Sequence, residues 1–371
     1  MKKLIALILV LGLVFCGCAN QSAPETTVPT TEAPTQAPTE APTEAPTEAP
    51  TEAPTEAPTE APTEPQVYTN PLNGQTLEAP IATRNFAVTI NNIPAAMPMY
   101  GVSKADLFFE MFINDYATRG LAIFSDISQV KAIGSIRSLR YNFTDLAELF
   151  DAVVLHAGGS NQVMGDLAAS VVEDIYVESD GGNYYFRDQG RLSSGYAWEH
   201  CLFAKGAETL AYAQEAGFRI TPREDADYGL RFTEDGTPEN GENAATVTVT
   251  LIHDGVAKKN VMQYDAEQGA YLFHQFGKAM YDSAEEQYIY FENVIVLMCK
   301  VHNDGVYHVA NLVGSGEGYF ACGGKLVPIR WSHESNSAPL VLTLADGTPL
   351  ELGVGSSYVA IAPLSSTVKY E

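Results

Sequence analysis

Two arginines and a glycine turn are the residues of this 371-residue chain whose types and spacing could bind a ligand. In the stretch GSIRSLRY, Arg137 and Arg140 are separated by two residues, and the apolar run FDAVVLHA then leads into a Gly-Gly-Ser turn. Guanidinium groups donate paired hydrogen bonds to phosphate or carboxylate. The first backbone N–H groups of a helix also favour negative charge. The pattern therefore predicts an anion site formed by Arg137, Arg140, His156, Gly158, Gly159 and Ser160.

The two arginines can serve one site only if the chain changes direction near them. Residues i and i+3 of a pleated strand point to opposite faces of the sheet, so we expect the strand to end and the chain to turn after Ser138. The helix-like stretch NFTDLAELF just beyond Arg140 favours this turn. Arg119 and Arg187, each at the edge of an expected strand, are further ligand-binding candidates.

The same residues also permit a purely structural interpretation. The glycine pair could make only a tight turn, Ser160 could only cap a helix, and His156 could be a hydrogen-bonded framework residue. The arginines could pair with nearby acids, namely Asp145, Glu148 and Asp151. The sequence leaves the ligand role and the structural role open.

The net charge argues against a surface that binds nucleic acid. The chain has 21 Lys and Arg against 46 Asp and Glu, which gives a formal net charge of −25. Residues 1–66 contain two lysines and nine glutamates, so −18 belongs to the remaining 305 residues. A domain this acidic does not attract nucleic acid or anionic lipid through its overall field. It also offers every arginine a choice of carboxylate partners.

The N-terminus has the pattern of a lipoprotein signal. Two lysines precede an apolar segment of about a dozen residues, Leu4 to Phe15, which is too short to span a bilayer. The segment ends in FCGC, and the small Gly17 before Cys18 resembles the lipobox of bacterial lipoproteins. We therefore predict a signal peptide over residues 1–18, a lipid anchor on Cys18 and a location on the outer face of the bacterial cytoplasmic membrane. An ordinary secretory signal without lipid is the alternative.

Residues 19–66 are dominated by a four-residue Thr-Glu-Ala-Pro repeat. Such a segment has almost no apolar surface to bury, so it cannot offset the entropy lost on folding. Its regularly spaced prolines keep the chain extended. The composition therefore predicts a disordered stalk that separates the folded part from the membrane.

The rest of the chain divides by its periodicity at about residue 225. In residues 67–225, buried strand-like runs such as NFAVTINN, ADLFFEMFI, RGLAIFSD and VKAIGSI alternate with helix-like runs, the last of them a long one from Trp198 to Phe218. This alternation predicts a mixed-sheet α/β sandwich. In residues 226–371, strand-like runs such as YIYFENVIVLMCKV are separated by GG and DG turns, which predicts a mostly β module.

Several motifs recur in an order that resembles one family. They include NPLNG, GVSKADLFFE, GSIRSLRY, FDAVVLHAGGS, YFRD and GSGEGYFACGGKLVPIRW, between Asn70 and Pro363. In this order they are similar to the YerB-like lipoproteins, which pair an N-terminal and a C-terminal module of the domain of unknown function 3048. The resemblance implies a lipoprotein signal and brings no established activity or cofactor. The family's Pro-His-Asn motif reads Glu199-His200-Cys201 here, which makes His200 a candidate with altered neighbours.

The favoured hypothesis is a membrane-tethered extracytoplasmic binding or accessory protein. Its expected partners are the membrane, through Cys18, and an anionic cell-wall ligand or an envelope protein. Because the catalytic motifs His-Glu-x-x-His, Cys-x-x-Cys and Gly-x-Ser-x-Gly are absent from the sequence, no cofactor or metal is indicated. One alternative is a metal-dependent enzyme of phosphoryl-linked cell-wall polymers, with metal ligands among Asp106, Asp115 and Asp151. The other is a structural interaction platform without a small ligand.

Overall fold

The chain is built mostly from strands, and a computed structural model describes them for residues 67–371 apart from residues 115, 180 and 225. The predicted signal peptide, the lipidation site Cys18, the stalk and Asp115 lie outside the described residues. Among the described residues no helix is long and apolar enough to cross a membrane.

Short and long strands alternate with helices in the first half. The strands are β1 Tyr68–Thr69, β2 Thr76–Leu77, β3 Phe86–Asn92, β4 Leu107–Asn114, β5 Ala117–Phe124, β6 Ile133–Gly134, β7 Val153–His156, β8 Asp174–Tyr176, β9 Tyr185–Arg187 and β10 Leu202–Ala204. The α-helices are α1 Tyr141–Leu149, α2 Asn161–Ala169, α3 Gln189–Ser193 and α4 Gly206–Glu215.

The second half consists of strands and turns. Its strands are β11 Phe232–Thr233, β12 Glu242–Asn243, β13 Thr246–His253, β14 Val256–Asp265, β15 Ala270–Gln275, β16 Lys278–Ala279, β17 Tyr281–Asp282, β18 Gln287–Tyr288, β19 Tyr290–Phe291, β20 Asn293–Cys299, β21 Val301–Asn303, β22 His308–Ala310, β23 Gly314–Cys322, β24 Lys325–His333, β25 Val341–Leu344, β26 Leu352–Gly353, β27 Ser357–Pro363 and β28 Thr367–Tyr370. The β-rich character predicted for this half is confirmed.

One large mixed sheet contains strands from both halves. Its order is β12-β24-β23-β20-β27-β4-β5-β3-β7-β8, and β25 also pairs with β24. The halves meet where β27 runs parallel to β4, with Ser357 opposite Leu107 and Ile361 opposite Met111. Strands buried on both faces read as continuous apolar runs, and β3 is buried at all seven positions.

The large sheet is covered on both faces. On one face Phe108 and Tyr358 contact Phe273 and Phe291 of a second, antiparallel sheet of order β16-β15-β14-β13-β28, to which β19 adds. On the other face Phe109 and its neighbours pack in one cluster with apolar residues of α1 and α2. Full burial of each such aromatic side chain stabilises the fold by about 1.5–3 kcal/mol.

The long helix predicted from Trp198 to Phe218 is wrong. Residues 202–204 form strand β10, which pairs with β9 and β6, and α4 begins only at Gly206. A Cβ atom at Gly206 would lie 1.9 Å from the carbonyl oxygen of Ile127, so this glycine permits α4 to pack closely against that segment. Gly217, just after α4, adopts φ +82°, a conformation typical of the residue that follows a helix.

Candidate anion-binding site

The strand ends before the two arginines. Ile136 forms an isolated antiparallel β-bridge with Ile90 of β3. The N–H of the next residue, Arg137, donates to the carbonyl of Thr89 at 3.1 Å. Arg140 then takes the N-cap position of α1, with φ −136° and ψ 159°. Residues 137–140 contain neither a turn nor a bend, so the turn predicted after Ser138 is wrong, and the chain changes direction only where α1 begins at Tyr141.

Backbone hydrogen bonds join the arginine segment to the glycine turn. The N–H of Leu139 donates to the Gly158 carbonyl at 2.7 Å, and the N–H of Ala157 donates to the Arg137 carbonyl at 3.0 Å. Gly158 adopts φ +72°, and a Cβ atom there would lie 2.9 Å from the Tyr176 hydroxyl. A left-handed conformation in so close a space requires glycine.

Ser160 caps helix α2, which agrees with both the ligand-binding and the structural interpretation of the Gly-Gly-Ser turn. Its hydroxyl accepts from the N–H of Val163 at 3.3 Å. This bond satisfies one of the unpaired donors at the start of the helix. The approach of the Gly159 and Ser160 N–H groups to the guanidinium groups remains a prediction.

Three guanidinium groups lie around one short stretch of backbone. Arg119 of β5 donates from Nη1 to the Ser138 carbonyl at 2.7 Å, and Arg140 donates from Nη1 to the Leu139 carbonyl at 2.6 Å. Arg137 belongs to the same segment. We call Arg119, Arg137 and Arg140 the arginine cluster.

The cluster has almost no compensating negative charge. Among the described residues, Arg119 and Arg140 make no ion pair, and Arg137 makes one long contact of 3.9 Å to the exposed Glu199. The Nε atom of each cluster arginine is buried and lacks a hydrogen-bond partner in the described part of the chain. Buried donors of this kind normally have hydrogen-bond partners. The cluster therefore has unpaired N–H groups as well as uncompensated positive charge.

Burial and mutual repulsion both act on these guanidinium groups. Arg119 is only 4% exposed. Burial lowers its pKa well below the usual arginine value, and the charges of Arg140 and Arg137 lower that pKa further. Burial also lowers the pKa of Arg140 and that of Arg137. An anion bound here would relieve both effects, because it would replace lost hydration and oppose the positive charges.

A tyrosine from the second half covers Arg140. The Arg140 guanidinium carbon lies 4.1 Å from the centre of the Tyr307 ring, a cation–π contact. Tyr307 immediately precedes β22, and Asn142 of α1 holds that strand by exchanging two hydrogen bonds of 2.8 Å with Ala310. Sequence reasoning missed Tyr307, since a tyrosine in a polar turn carries no signal of such a role.

His156 has the geometry of a framework residue. It is fully buried, with Nδ1 2.9 Å from the Gly158 carbonyl oxygen and Nε2 2.9 Å from a carboxylate oxygen of Asp174. Both ring nitrogens are thus occupied by the protein itself. The side chain fixes the glycine turn and has no nitrogen left for a ligand.

Arg187 and His200 differ in their relation to the cluster. Arg187 forms a two-bond ion pair with Glu178 and stacks on Trp198 at 4.0 Å, so its charge is already neutralised. His200 is buried and its Nδ1 lies 2.8 Å from the amide nitrogen of Asn91, the residue paired with Arg119 across the sheet. Burial lowers the pKa of His200.

The acids proposed as structural partners of the arginines are engaged elsewhere. Asp151 pairs with three other arginines, Arg84, Arg219 and Arg223. Asp145 accepts hydrogen bonds from Asn142 and Asn336. Among the described residues, no ion pair joins the cluster to Asp145, Glu148 or Asp151.

Asp145 gives a pH-dependent prediction. Burial raises the pKa of its carboxyl from 3.8 to about 6, so the folded state holds this proton more tightly than the unfolded state. Its contribution to the free energy of unfolding therefore falls as the pH rises from about 4 through 6. Relative to the wild type, Asp145→Asn should gain about 2 kcal/mol between pH 4 and pH 8. Urea unfolding at both pH values measures this, and a constant difference would contradict it.

Comparisons with known proteins place the chain among relatives of unknown function. The N-terminal domain of the protein of unknown function DUF3048 matches residues 72–219, and its C-terminal domain matches residues 248–359. A relative named "Putative lipoprotein YerB", from Bacillus subtilis (strain 168), is 24% identical over 298 residues, which is 79% of this chain and 86% of the relative. The crystal structure of the YerB protein from Bacillus subtilis aligns with a TM-score of 0.70 and 22% identity, over 81% of this chain and 99% of that chain. This likeness concerns the fold.

Proposed function

The chain belongs to the DUF3048 family, and on that premise we propose that it is a lipid-anchored extracytoplasmic protein that binds an anionic component of the cell envelope. The name of the Bacillus subtilis relative supports the lipid anchor. Lipidation at Cys18 would hold the protein on the outer face of the cytoplasmic membrane, with residues 19–66 as a stalk. An α/β sandwich over residues 67–225 and a β-rich module over residues 226–371 are part of the same proposal.

The arginine cluster is the observation that carries the ligand proposal. A buried charge is costly unless an opposite charge and hydrogen bonds compensate it. Yet Arg119 is 4% exposed without an ion pair among the described residues, in a chain with 46 acids. A phosphate or carboxylate group of a ligand would supply the negative charge that the arginine cluster lacks.

The donors present favour a multiply charged oxyanion. Each cluster arginine has a buried Nε–H to offer, and planar guanidinium groups bind phosphate through two parallel bonds. The Arg137 side chain is 25% exposed, so it lies on the side from which solvent reaches the cluster. The proposed ligand is a phosphorylated cell-wall fragment. An acidic envelope protein is the other possible ligand, and the titration described below distinguishes the two.

The observed contacts favour binding over the two alternatives. In a purely structural platform the arginines would neutralise buried carboxylates, whereas within the described residues the one ion pair of the cluster is that of Arg137 with the exposed Glu199. A metal-dependent enzyme expects free carboxylates, whereas Asp106 accepts hydrogen bonds from Asn73 and from the N–H of Ser125, and Asp151 is surrounded by arginines. Asp115 lies outside the described residues.

Calorimetric titration tests the proposal. The full chain in detergent is titrated with inorganic pyrophosphate, with a lipid-linked pyrophosphate and with a phosphorylated glycan fragment. We expect saturable binding by at least one of them with a dissociation constant below about 1 mM, weakened by added salt. Arg231→Met is the control, since Arg231 is exposed and pairs with Asp227. Binding of none of these probes at millimolar concentration would contradict the small-anion proposal and leave an envelope protein as the partner to be tested.

A further inference from the structure

A second cluster of side chains, unrelated to the arginines, has the composition of a metal site. It consists of His253, the last residue of β13, Asp254 in the following turn and His308 of β22. One ring nitrogen of each histidine and one carboxylate oxygen of Asp254 all lie within 4.8 Å of one another. The three residues come from two hairpins distant in sequence, so their meeting is a product of the tertiary fold.

The turn that carries Asp254 holds two of the three groups in place. His253 pairs with Val256, so Asp254 and Gly255 form a two-residue hairpin loop with φ values of 48° and 81°. Such a loop fits the twist of the strands. It places a carboxylate oxygen of Asp254 3.6 Å from Nε2 of His253. Two ligands of a tetrahedral zinc ion are about 3.3 Å apart, given bonds of about 2.0 Å.

The surroundings give this cluster one apolar wall and one open side. The rings of His253 and His308 lie 4.1 Å apart at 82°, and Phe112 of β4 packs against both at 6.4 Å. His308 is only 4% exposed, whereas the Asp254 side chain is 61% exposed. Three protein ligands with a water molecule as the fourth are the arrangement of open zinc sites.

We infer that His253, Asp254 and His308 bind one divalent transition metal ion of the zinc class. Two imidazoles with a single carboxylate suit zinc and its neighbours, whereas calcium and magnesium require mostly oxygen ligands. The ion joins the β13–β14 hairpin to the β21–β22 hairpin. Because Tyr307 precedes His308 and covers Arg140, the metal also fixes the hairpin that borders the arginine cluster.

Metal titration tests this inference independently of anion binding. The full chain, first treated with a chelator, is titrated with Zn²⁺ and, as a spectroscopic probe, with Co²⁺. We expect one equivalent of metal, visible absorption typical of tetrahedral Co²⁺, and a higher melting temperature with zinc, because a ligand of the folded state stabilises it. Absence of saturable zinc binding would overturn the inference.

Two variants separate this site from adventitious metal. Asp254→Asn keeps the positive φ that asparagine tolerates, so it should fold like the wild type and weaken zinc binding by more than about tenfold. His253→Gln, at the partly exposed strand end, should do the same. Asp346→Asn, in another Asp-Gly turn, is the matched control and should bind normally. Unchanged affinity in both Asp254→Asn and His253→Gln would show that the metal binds elsewhere and would refute the site.

Discussion

Replacing Arg119 by methionine is expected to weaken anion binding by about 10–100-fold, the equivalent of one charge-assisted hydrogen bond of about 1.5–3 kcal/mol. The free energy of unfolding should stay the same or rise. The substitution removes one hydrogen bond to the Ser138 carbonyl, but it also removes a buried charge that burial and two neighbouring guanidinium groups oppose. Titration calorimetry measures the affinity, and urea unfolding measures the stability.

Arg84 provides the matched control, because it is buried to the same 4%. Unlike Arg119, it pairs with Asp151 and with Glu173. Arg84→Met should therefore lower the free energy of unfolding by about 1.5–3 kcal/mol, because it removes charge-assisted contacts to both carboxylates, although Asp151 keeps Arg219 and Arg223. If Arg119→Met destabilises the protein as much as Arg84→Met does, the arginine cluster is part of the scaffold.

This contrast shows what sequence can and cannot predict about an arginine. In the sequence, Arg84 and Arg119 each follow a threonine and precede an apolar strand-like run, and a chain rich in acids offers both a partner. Only the fold brings Asp151 to Arg84 and leaves Arg119 beside the Ser138 carbonyl. The excess of acidic residues suggested that every arginine would find a carboxylate partner. It gave no means to recognise Arg119 as the exception.

Local features were predicted best. The buried run NFAVTINN forms strand β3, NFTDLAELF forms most of α1, and Gly323-Gly324 is one of the predicted GG turns and joins β23 to β24. Each depends on side-chain periodicity or turn preference within a few residues. The structural role of His156 was left open by the sequence, because its partner Asp174 is 18 residues away.

Long-range pairings were beyond the sequence. The parallel pairing of β27 with β4 joins segments about 250 residues apart and makes one sheet from both halves. His333, the last residue of β24, is only 3% exposed, and β24 has neighbouring strands on both sides in the large sheet. Periodicity shows which face of a strand is apolar, and it does not show which strand will be its neighbour.

A buried polar network between the two sheets gives the prediction with the largest expected effect on stability. Glu110 of β4 is fully buried and accepts from Thr118 at 2.7 Å, Asn260 at 2.8 Å and Tyr358 at 2.9 Å. Its cation is Lys258 of β14, which also donates to Gln275 at 2.7 Å. Glu110 belongs to the large sheet, whereas Lys258 and Asn260 belong to the second sheet. The network therefore fixes how the second sheet packs on the first.

Lys258→Met should lower the free energy of unfolding by about 3–5 kcal/mol, because it leaves the Glu110 charge buried without a cation. Adding Glu110→Gln should recover most of this loss, since replacing both members of a buried pair is often close to neutral. Urea unfolding of the two single variants and the double variant gives the coupling energy between the residues. Arg231→Met, which breaks an exposed pair with Asp227, should cost less than about 1 kcal/mol. If Lys258→Met costs no more than this control, the three remaining donors to the Glu110 carboxylate, Thr118, Asn260 and Tyr358, are enough to stabilise its burial without the lysine.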